Sequence, residues 1–314
     1  MKKIFKYIFA GMAAMSVVAC SEDALETSPS SSVSGNELLG TATNALVSLN
    51  GVYRAMYTAG VSNSSNTHQC FGITAYNLVA DVMGEDCIMN GQGSGWFWYD
   101  CVYNVKSRYT STGWRSYDMW NGYYTWISNV NYILAVRAYS YFMLAQMFSR
   151  TYKGHESEPC VPLYTEPTDI ATEGKGRATV EEVYQQITSD LDKAITMLGN
   201  SGKRKHISHI KARVALVMED WQTALDAANA AISKSGCSIG TGTAVTGGMN
   251  DATANNVMWA AEIIADQSGM YAGFFTHMDA DQGKYGASAR KQINKLLYAK
   301  LGTNDVRKKW WNPQ

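Results

Sequence analysis

The sequence predicts a mostly helical protein, a tetratricopeptide-like repeat scaffold interrupted by long irregular loops. Apolar residues recur at helical spacing in several segments, which is the pattern of amphipathic helices. Small residues recur through 208–235, where they would let the two helices of one repeat approach closely. Gly-, Asn- and Ser-rich stretches separate these segments, and loops of this length often carry function. The prediction is therefore a helical stack with a loop-borne functional surface.

The N-terminus has the features of a lipoprotein export signal. Three lysines in the first six residues precede an almost unbroken apolar run over 7–19. This run is shorter than the ~20 apolar residues of a membrane-spanning helix, but it fits the core of a secretory signal peptide. Cys20 follows the run directly. We therefore predict a signal peptide over 1–19, a lipid on Cys20 and a Ser-rich tether over 20–33.

The remaining residues, 34–314, are predicted to form one helical domain. Ser34 and Glu37 have capping-box spacing, and an apolar stripe continues from there to Met56. A second amphipathic segment covers 120–148.

The helix with the strongest sequence signals starts after Thr179. Thr179 and Glu182 have capping-box spacing, and Gly199 stands where a C-terminal cap belongs. A helical pair over 208–235, broken near residues 219–220, is predicted to follow. A last helix is predicted over 288–301.

Charge and cysteine content exclude several classes of protein. The chain has 27 basic and 27 acidic residues, so the overall charge does not favour nucleic acid. Beyond the signal peptide, no second apolar run is long enough to span a membrane. The five cysteines that follow Cys20 in the sequence lack the spacing of a disulfide framework or zinc site. Buried free thiols are the favoured interpretation, and a single Cys87–Cys101 bridge is the alternative.

The chain lacks the common catalytic motifs. Its five histidines form no zinc-protease motif, and neither a Gly-x-Ser-x-Gly elbow nor a phosphate-binding loop occurs. Asp81, Glu85 and Asp86 are either the acid/base pair of a glycosidase or capping and surface groups. Asp279 and Asp281 form only a fragment of a calcium loop. We therefore predict a protein that is not an enzyme, with no catalytic residue, metal or cofactor.

An aromatic cluster at 96–99 is the main candidate for ligand binding. It follows a Gly-rich loop, and flat rings beside polar side chains suit the apolar faces and hydroxyls of sugars. In a packing role, Trp96 and Trp98 would point inward while Phe97 and Tyr99 point outward, or the reverse. The candidate ligand-binding residues are Trp96, Trp98, Tyr99, Asp81, Asn104, Arg108, Tyr109, Tyr271 and Phe274.

Five sequence blocks resemble the SusD/RagB family, nutrient-binding outer-membrane lipoproteins of Bacteroidetes. The block VRAYSYFML at 136–144 is the most specific of them. The others are CSED at 20–23, ALVSLNGVY at 45–53, WNGYYTWISNVN at 120–131, and RATVEEVY at 177–184 with DLDKA at 190–194. The acidic residues after Cys20 are similar to the export signal that sends such lipoproteins to the cell surface.

The resemblance implies a SusD-like fold and a role in nutrient uptake. Such a protein would capture an oligosaccharide at the exterior of the outer membrane and deliver it to a SusC-like TonB-dependent transporter. A RagB-like peptide-binding protein and a tetratricopeptide-type interaction scaffold without a small ligand are the alternatives. The sequence departs from the family pattern near Ile133, where an internal segment is expected to be missing, and after Gln314, where a C-terminal part is expected.

Overall fold

The structure is a computed structural model of the chain. It describes residues 41–61, 64–103, 110, 112–130, 133–168, 171–199, 204–247, 251–258, 260, 263, 273–281 and 284–311. The predicted signal peptide, lipidated Cys20 and tether lie outside these residues. The chain divides into two compact units, Met1–Asn50 and Gly51–Gln314. All packing reported below lies within the second unit.

The described residues are mostly helical, which confirms the predicted fold class. The helices are α1 (Ala42–Ala55), α2 (Ile73–Met83), α3 (Trp98–Cys101), α4 (Trp114–Val130), α5 (Leu134–Phe148), α6 (Val180–Leu198), α7 (Arg204–Val217), α8 (Trp221–Ser235), α9 (Thr243–Thr246), α10 (Phe274–Met278), α11 (Lys284–Ser288) and α12 (Lys295–Lys300). Two strands, β1 (Cys87–Met89) and β2 (Lys291–Ile293), and two 3₁₀ turns, Ser64–Asn66 and Val306–Trp310, complete the described elements. Within the described chain, no helix has the length and apolar character needed to span a membrane.

Helices α4 to α8 form what we call the helical stack. Each packs against the next along the chain, from α4 on α5 to α7 on α8. The apolar stripe of α6 is buried in this stack from Val180 to Ala194, as its helical spacing predicts. The α7–α8 pair is the predicted helical pair, and Asp220 caps α8 by accepting a hydrogen bond from the backbone N–H of Thr223.

Helix α6 begins and ends at the predicted caps. The Thr179 hydroxyl oxygen accepts from the Glu182 backbone N–H at 3.2 Å, and the Glu182 carboxylate accepts from the Thr179 N–H at 2.7 Å. Gly199 follows with φ 51°, a left-handed value that glycine tolerates. The capping-box prediction is therefore confirmed.

A buried ion pair joins α5 to α6. The Arg137 guanidinium donates to both carboxylate oxygens of Asp190, at 2.7 Å each. Arg137 also donates to the Thr165 carbonyl, and Gln186 donates to Asp190. These additional hydrogen bonds offset the desolvation of the two charges. Both ion-pair residues belong to sequence blocks that resemble the family.

The segment read as one amphipathic stretch over 120–148 is two helices. Helix α4 starts earlier, at Trp114, and ends at Val130, and α5 starts at Leu134. The two helices pack against each other. The second helix begins directly after Ile133, the position near which the sequence departs from the family pattern.

The remaining elements around β1 and β2 form what we call the loop-borne part, comprising residues 64–103 and 273–300. Strand β1 pairs antiparallel with β2, with Cys87 opposite Ile293 and Met89 opposite Lys291. The helix predicted over 288–301 is therefore wrong in its first half, and only α12 (Lys295–Lys300) is helical beyond β2. Pairing with a strand distant in sequence overrides the local helical pattern there.

Candidate ligand-binding surface

Glycines shape the loop that precedes the aromatic cluster. Gly93 has φ 51°, and a Cβ added to it would lie 2.6 Å from the Ala289 Cβ. Gly95 has φ 84°. Both positions suit glycine, since other residues rarely adopt these values. The loop can therefore lie directly on the segment that precedes β2.

Phe97 points into the protein although it carries a side chain at a left-handed backbone position. Its φ is 64°, and its ring is fully buried. Its N–H donates to the Gln69 side-chain oxygen at 2.8 Å. Such a conformation costs of the order of 1–3 kcal/mol, which surrounding contacts must offset. Neither alternating pattern holds: Phe97 is inside, whereas Trp96, Trp98 and Tyr99 are each half-buried.

The buried side chain of Arg115 holds the segment 96–100 in place through hydrogen bonds to Asp100 and to Gln69. Arg115 of α4 is fully buried and donates to both carboxylate oxygens of Asp100, at 3.2 and 2.8 Å. It also donates to the backbone oxygen of Gln69 at 3.2 Å and to its side-chain oxygen at 3.0 Å. The guanidinium carbon lies 5.2 Å from the Phe97 ring centre. Arg115 therefore connects the helical stack to residues 96–100 through several charge-assisted hydrogen bonds.

Trp96 is held by two aromatic neighbours. Its ring stacks on His68, with centroids 4.9 Å apart and an interplanar angle of 6°. The Tyr285 ring stands edge-on to both, and its hydroxyl lies 2.6 Å from His68 Nδ1. The orientation of Trp96 is therefore fixed before any ligand binds, which lowers the entropic cost of binding.

His277 is buried beside Phe71 and Phe97 as a neutral imidazole. Its Nε2 lies 2.6 Å from the His68 carbonyl oxygen, and since a carbonyl only accepts, Nε2 carries the proton. Burial, and then the nearby charge of Lys291, lower the pKa of His277 to about 3. Its ring packs on Phe71 and Phe97, with centroids 5.4 and 4.9 Å apart.

Helix α10 brings a second aromatic pair to the same region. Phe274 and Phe275 pack edge to face, with centroids 5.8 Å apart, and Phe275 is 72% exposed. His277, in the same helix, contacts Phe97 directly. The helix that carries Phe274 therefore contacts the segment that carries Phe97, although the two are far apart in sequence. We call Trp96, Trp98, Tyr99 and Phe274 the aromatic surface.

The structure describes only one of the other predicted ligand-binding residues, Asp81. Asp81 is exposed on α2, and its pKa is raised by partial burial and by the nearby charge of Asp86. Four predicted residues lie outside the part of the chain that the structure describes, namely Asn104, Arg108, Tyr109 and Tyr271.

Residues that position the surface were not found from the sequence. Arg115 follows a tryptophan at the start of a helix, where a charged residue usually faces solvent. His68, His277 and Tyr285 are isolated in the sequence and meet only in the fold. Aromatic residues near these positions in the sequence were the only indication, and they do not show which residues come into contact.

Metal and thiol chemistry have little support in the described residues. No group of three or more His, Cys, Asp or Glu side chains converges there as a metal site would require. The five described cysteines are free thiols, so the alternative Cys87–Cys101 bridge is absent from the structure. Burial raises the pKa of Cys87 to about 11, so its thiol stays protonated and unreactive.

Two recesses lie outside the aromatic surface. A groove of about 620 Å³ runs between 175–178 and α6, where its Arg177 and Glu182 side chains are already engaged in structural hydrogen bonds. A cavity of about 430 Å³ is enclosed by loop residues between 238 and 257. The groove is thus accounted for by packing, whereas the cavity is lined by polar side chains together with glycines, alanines, Ile239 and Val257.

Comparison with known proteins identifies the fold. Residues 134–217 match the SusD-like family model described as "Starch-binding associating with outer membrane". This segment covers α5 to α7, including the block at 136–144. No curated protein matches the chain.

Solved structures resemble most of the chain. A SusD-like carbohydrate binding protein from Bacteroides vulgatus aligns with a TM-score of 0.73 and 22% identity, covering 85% of this chain and 60% of that one. A SusD superfamily protein from Bacteroides thetaiotaomicron gives a TM-score of 0.67 and 19% identity, covering 86% and 64%. A putative sugar binding protein from Bacteroides vulgatus gives 0.65 and 22%, covering 85% and 64%. The chain thus spans less than two thirds of the length of these proteins, and the predicted family resemblance is confirmed.

Proposed function

Because this chain has the SusD-like fold and carries the SusD-like family segment at 134–217, we propose that it is a non-catalytic carbohydrate-binding protein. It captures an oligosaccharide on the aromatic surface formed by Trp96, Trp98, Tyr99 and Phe274. No covalent step is needed, since ring stacking and hydrogen bonds hold the sugar.

The rigidity of the aromatic surface carries this proposal. Phe97 is turned inward by its left-handed backbone, and this leaves its neighbours Trp96 and Trp98 at the surface. Arg115 and Asp100 hold the segment from below with a buried ion pair. A strained, well-supported backbone beside half-exposed rings is typical of a binding site rather than of a core.

We place the protein at the outer face of the outer membrane. The lipoprotein signal ending at Cys20 and the acidic pair that follows it support this location. The captured oligosaccharide passes to a SusC-like TonB-dependent transporter, the partner that the family resemblance implies. The Ser-rich tether over 20–33 keeps the binding domain close to that transporter.

Binding measurements with matched tryptophan variants test the proposal. Glycan-array screening with the full chain selects a ligand, and calorimetry then compares wild type with Trp98→Ala. Loss of a stacked ring is expected to weaken binding by about tenfold or more, which corresponds to ~1.4 kcal/mol. Trp221→Ala is the control, because Trp221 is 62% exposed on α8, outside the aromatic surface.

Two outcomes would contradict this assignment. Equal affinity of wild type and Trp98→Ala would remove the aromatic surface as the site. Absence of binding to every glycan, combined with binding to a peptide library, would favour the RagB-like peptide-binding alternative. A glycosidase is also distinguished, since it would shorten the glycans during the measurement.

One observation favours a second candidate, an interaction scaffold. The outer face of α8 exposes Trp221, Leu225 and Ile232 at helical spacing. If the stack alone serves as a docking scaffold, Trp221→Ala rather than Trp98→Ala weakens association with the co-expressed transporter. The same two variants therefore separate the two functions.

A further inference from the structure

A second recess is lined by residues of 238–247 and 251–257, none of which belongs to the aromatic surface. It follows α8 and has a volume of about 430 Å³. This lies in the range of small-molecule sites, about 300–1,000 Å³. Its lining includes Ser238, Thr241, Asp251, Asn255 and Asn256.

Hydrogen bonds across the loop hold the walls of the cavity in place. The Ser238 N–H donates to the Asn255 carbonyl at 2.9 Å, which joins the two sides. Asp251 accepts from the N–H and the hydroxyl of Thr253, at 2.8 and 2.7 Å. The Cys237 thiol donates to the Val257 carbonyl at 3.3 Å. The recess is thus formed by mutually bonded segments.

Gly240 keeps the interior open. A Cβ added at this position would lie 3.0 Å from the Asn256 amide nitrogen and 3.5 Å from a Val245 methyl group. Any larger residue would therefore press on the side chains that line the recess. The Asn256 amide lies next to this open space.

A fixed tryptophan lies beside the cavity. The Trp310 indole N–H donates to the Val245 carbonyl at 2.7 Å, and α9 packs on the 3₁₀ turn that contains Trp310. The hydrogen bond satisfies the polar atom of the ring, while half of the residue stays exposed. The helix that holds this indole also supplies Ala244 to the lining of the recess, and an indole ring is a suitable apolar platform for a sugar.

The chemistry of the lining selects the ligand class. Among the described lining residues none is Lys, Arg or His, so the site has no cation to attract a phosphate or carboxylate. Amide and hydroxyl side chains provide donors and acceptors together, which matches neighbouring sugar hydroxyls. We propose that this cavity and Trp310 form a second sugar-binding site, which holds one sugar unit of a neutral glycan.

The ligand class rests on the proposed function, whereas the location rests on the cavity itself. Two separate sites on one chain would bind long glycans more tightly than short ones, because the second contact becomes intramolecular. A second site thus predicts a dependence of affinity on glycan length.

The test titrates the full chain, in a non-glycosidic detergent, with malto-, laminari-, manno- and xylo-oligosaccharides of graded length. Calorimetry compares wild type, Trp98→Ala and Trp310→Ala with two combined variants, in which Trp98→Ala carries either Trp310→Ala or Asn256→Leu. Trp311→Ala is the matched control, at the adjacent and also exposed tryptophan. Circular dichroism shows whether each variant is folded, and Trp310→Phe keeps a ring where Trp310→Ala fails to fold.

We expect Trp98→Ala to retain a weaker site for short oligosaccharides. Adding Trp310→Ala or Asn256→Leu to that variant should weaken this residual binding by about fivefold or more. Residual binding that is unaffected by Trp310→Ala and Asn256→Leu, or abolished by Trp98→Ala alone, overturns the second site and leaves the proposed function intact. Sugar binding that persists in Trp98→Ala and is lost in Trp310→Ala overturns the aromatic surface alone. No sugar binding by wild type overturns both.

Discussion

The helical stack and the loop-borne part each depend on a buried Arg–Asp pair, but the two pairs are built differently. Arg137 and Asp190 lie on neighbouring helices whose periodic stripes already face each other. Arg115 and Asp100 connect a helix to an irregular segment. Periodicity fixes the first arrangement, whereas the second depends on individual contacts. In the proposed function, the stack is the scaffold and the loop-borne part carries the proposed ligand-binding surface.

Backbone strain follows the same division. Among the described non-glycine residues, those with positive φ are Glu85, Phe97, Tyr103 and Glu219. Three of them lie at 85–103, beside the aromatic surface, and Glu219 lies in the turn before α8. Strained backbone of this kind is typical of functional segments.

The largest effect is expected from breaking the ion pair of the stack. Asp190→Ala leaves the Arg137 guanidinium buried without its carboxylate, which costs about 3–5 kcal/mol of unfolding free energy. Chemical denaturation followed by circular dichroism measures it. Glu158→Ala is the control, because Glu158 pairs with Arg150 at the surface, where a pair contributes ~0–1 kcal/mol. Similar losses in both variants would contradict the assigned role of Asp190.

A smaller loss is expected from the corresponding pair of the loop-borne part. In Asp100→Ala, Arg115 still donates to both oxygens of Gln69, so we expect about 2–3 kcal/mol. Hydrogen exchange should show a loss of amide protection at residues 69–101, whereas the amides of α5 and α6 stay protected. Uniform loss of protection over both regions would show that they unfold as one unit.

The pH dependence of stability offers a third test. Because the pKa of His277 is lowered to about 3, the folded protein binds fewer protons than the unfolded chain below the ordinary histidine pKa of 6.5. The contribution of neutral His277 to the free energy of unfolding is therefore present above pH 6.5 and is lost as the pH falls towards 3.

Between pH 6.5 and pH 5 this amounts to about 2 kcal/mol, from ~1.4 kcal/mol per pH unit. His277→Gln retains a donor for the His68 carbonyl but does not titrate, so its stability should vary less with pH over this interval. Thermal or chemical denaturation at several pH values measures the difference. His155→Gln, outside the aromatic cluster, is the control, and a pH dependence of His277→Gln equal to that of wild type contradicts the burial argument.

The smallest effect concerns the cap of α6. Thr179→Ala removes the acceptor for the Glu182 N–H and should cost about 1 kcal/mol. Thr196→Ala, in the last turn of the same helix, is the matched control, with an expected change within about 0.5 kcal/mol. Equal effects on the denaturation midpoint would show that the cap contributes nothing specific.

The sequence predicted the stack well because its signals are local. Thr179, Glu182 and Gly199 define the ends of α6 through contacts within a few residues. By contrast, the pairing of β1 with β2 joins segments about two hundred positions apart, and no local pattern reveals it. The inward turn of Phe97 was also invisible, because a left-handed non-glycine residue is stabilised only by its tertiary neighbours. Trp98 and Tyr99 could be nominated as binding residues, but Arg115 and His277, which position the segment, could not.

The contact between His277 and the His68 carbonyl spans 209 residues, and it has a consequence for how the protein matures. If the chain is exported as proposed, it emerges from its N-terminus, so α2 and residues 96–99 reach the new compartment long before α10 and β2. The helical stack can form from neighbouring segments, whereas the loop-borne part must wait for its distant partners. Until they arrive, the rings of Phe71 and Phe97 lack their cover. Under the proposed localisation, chaperones have most to protect during that interval, and the last part of the chain to fold would be the part that carries the proposed ligand-binding surface.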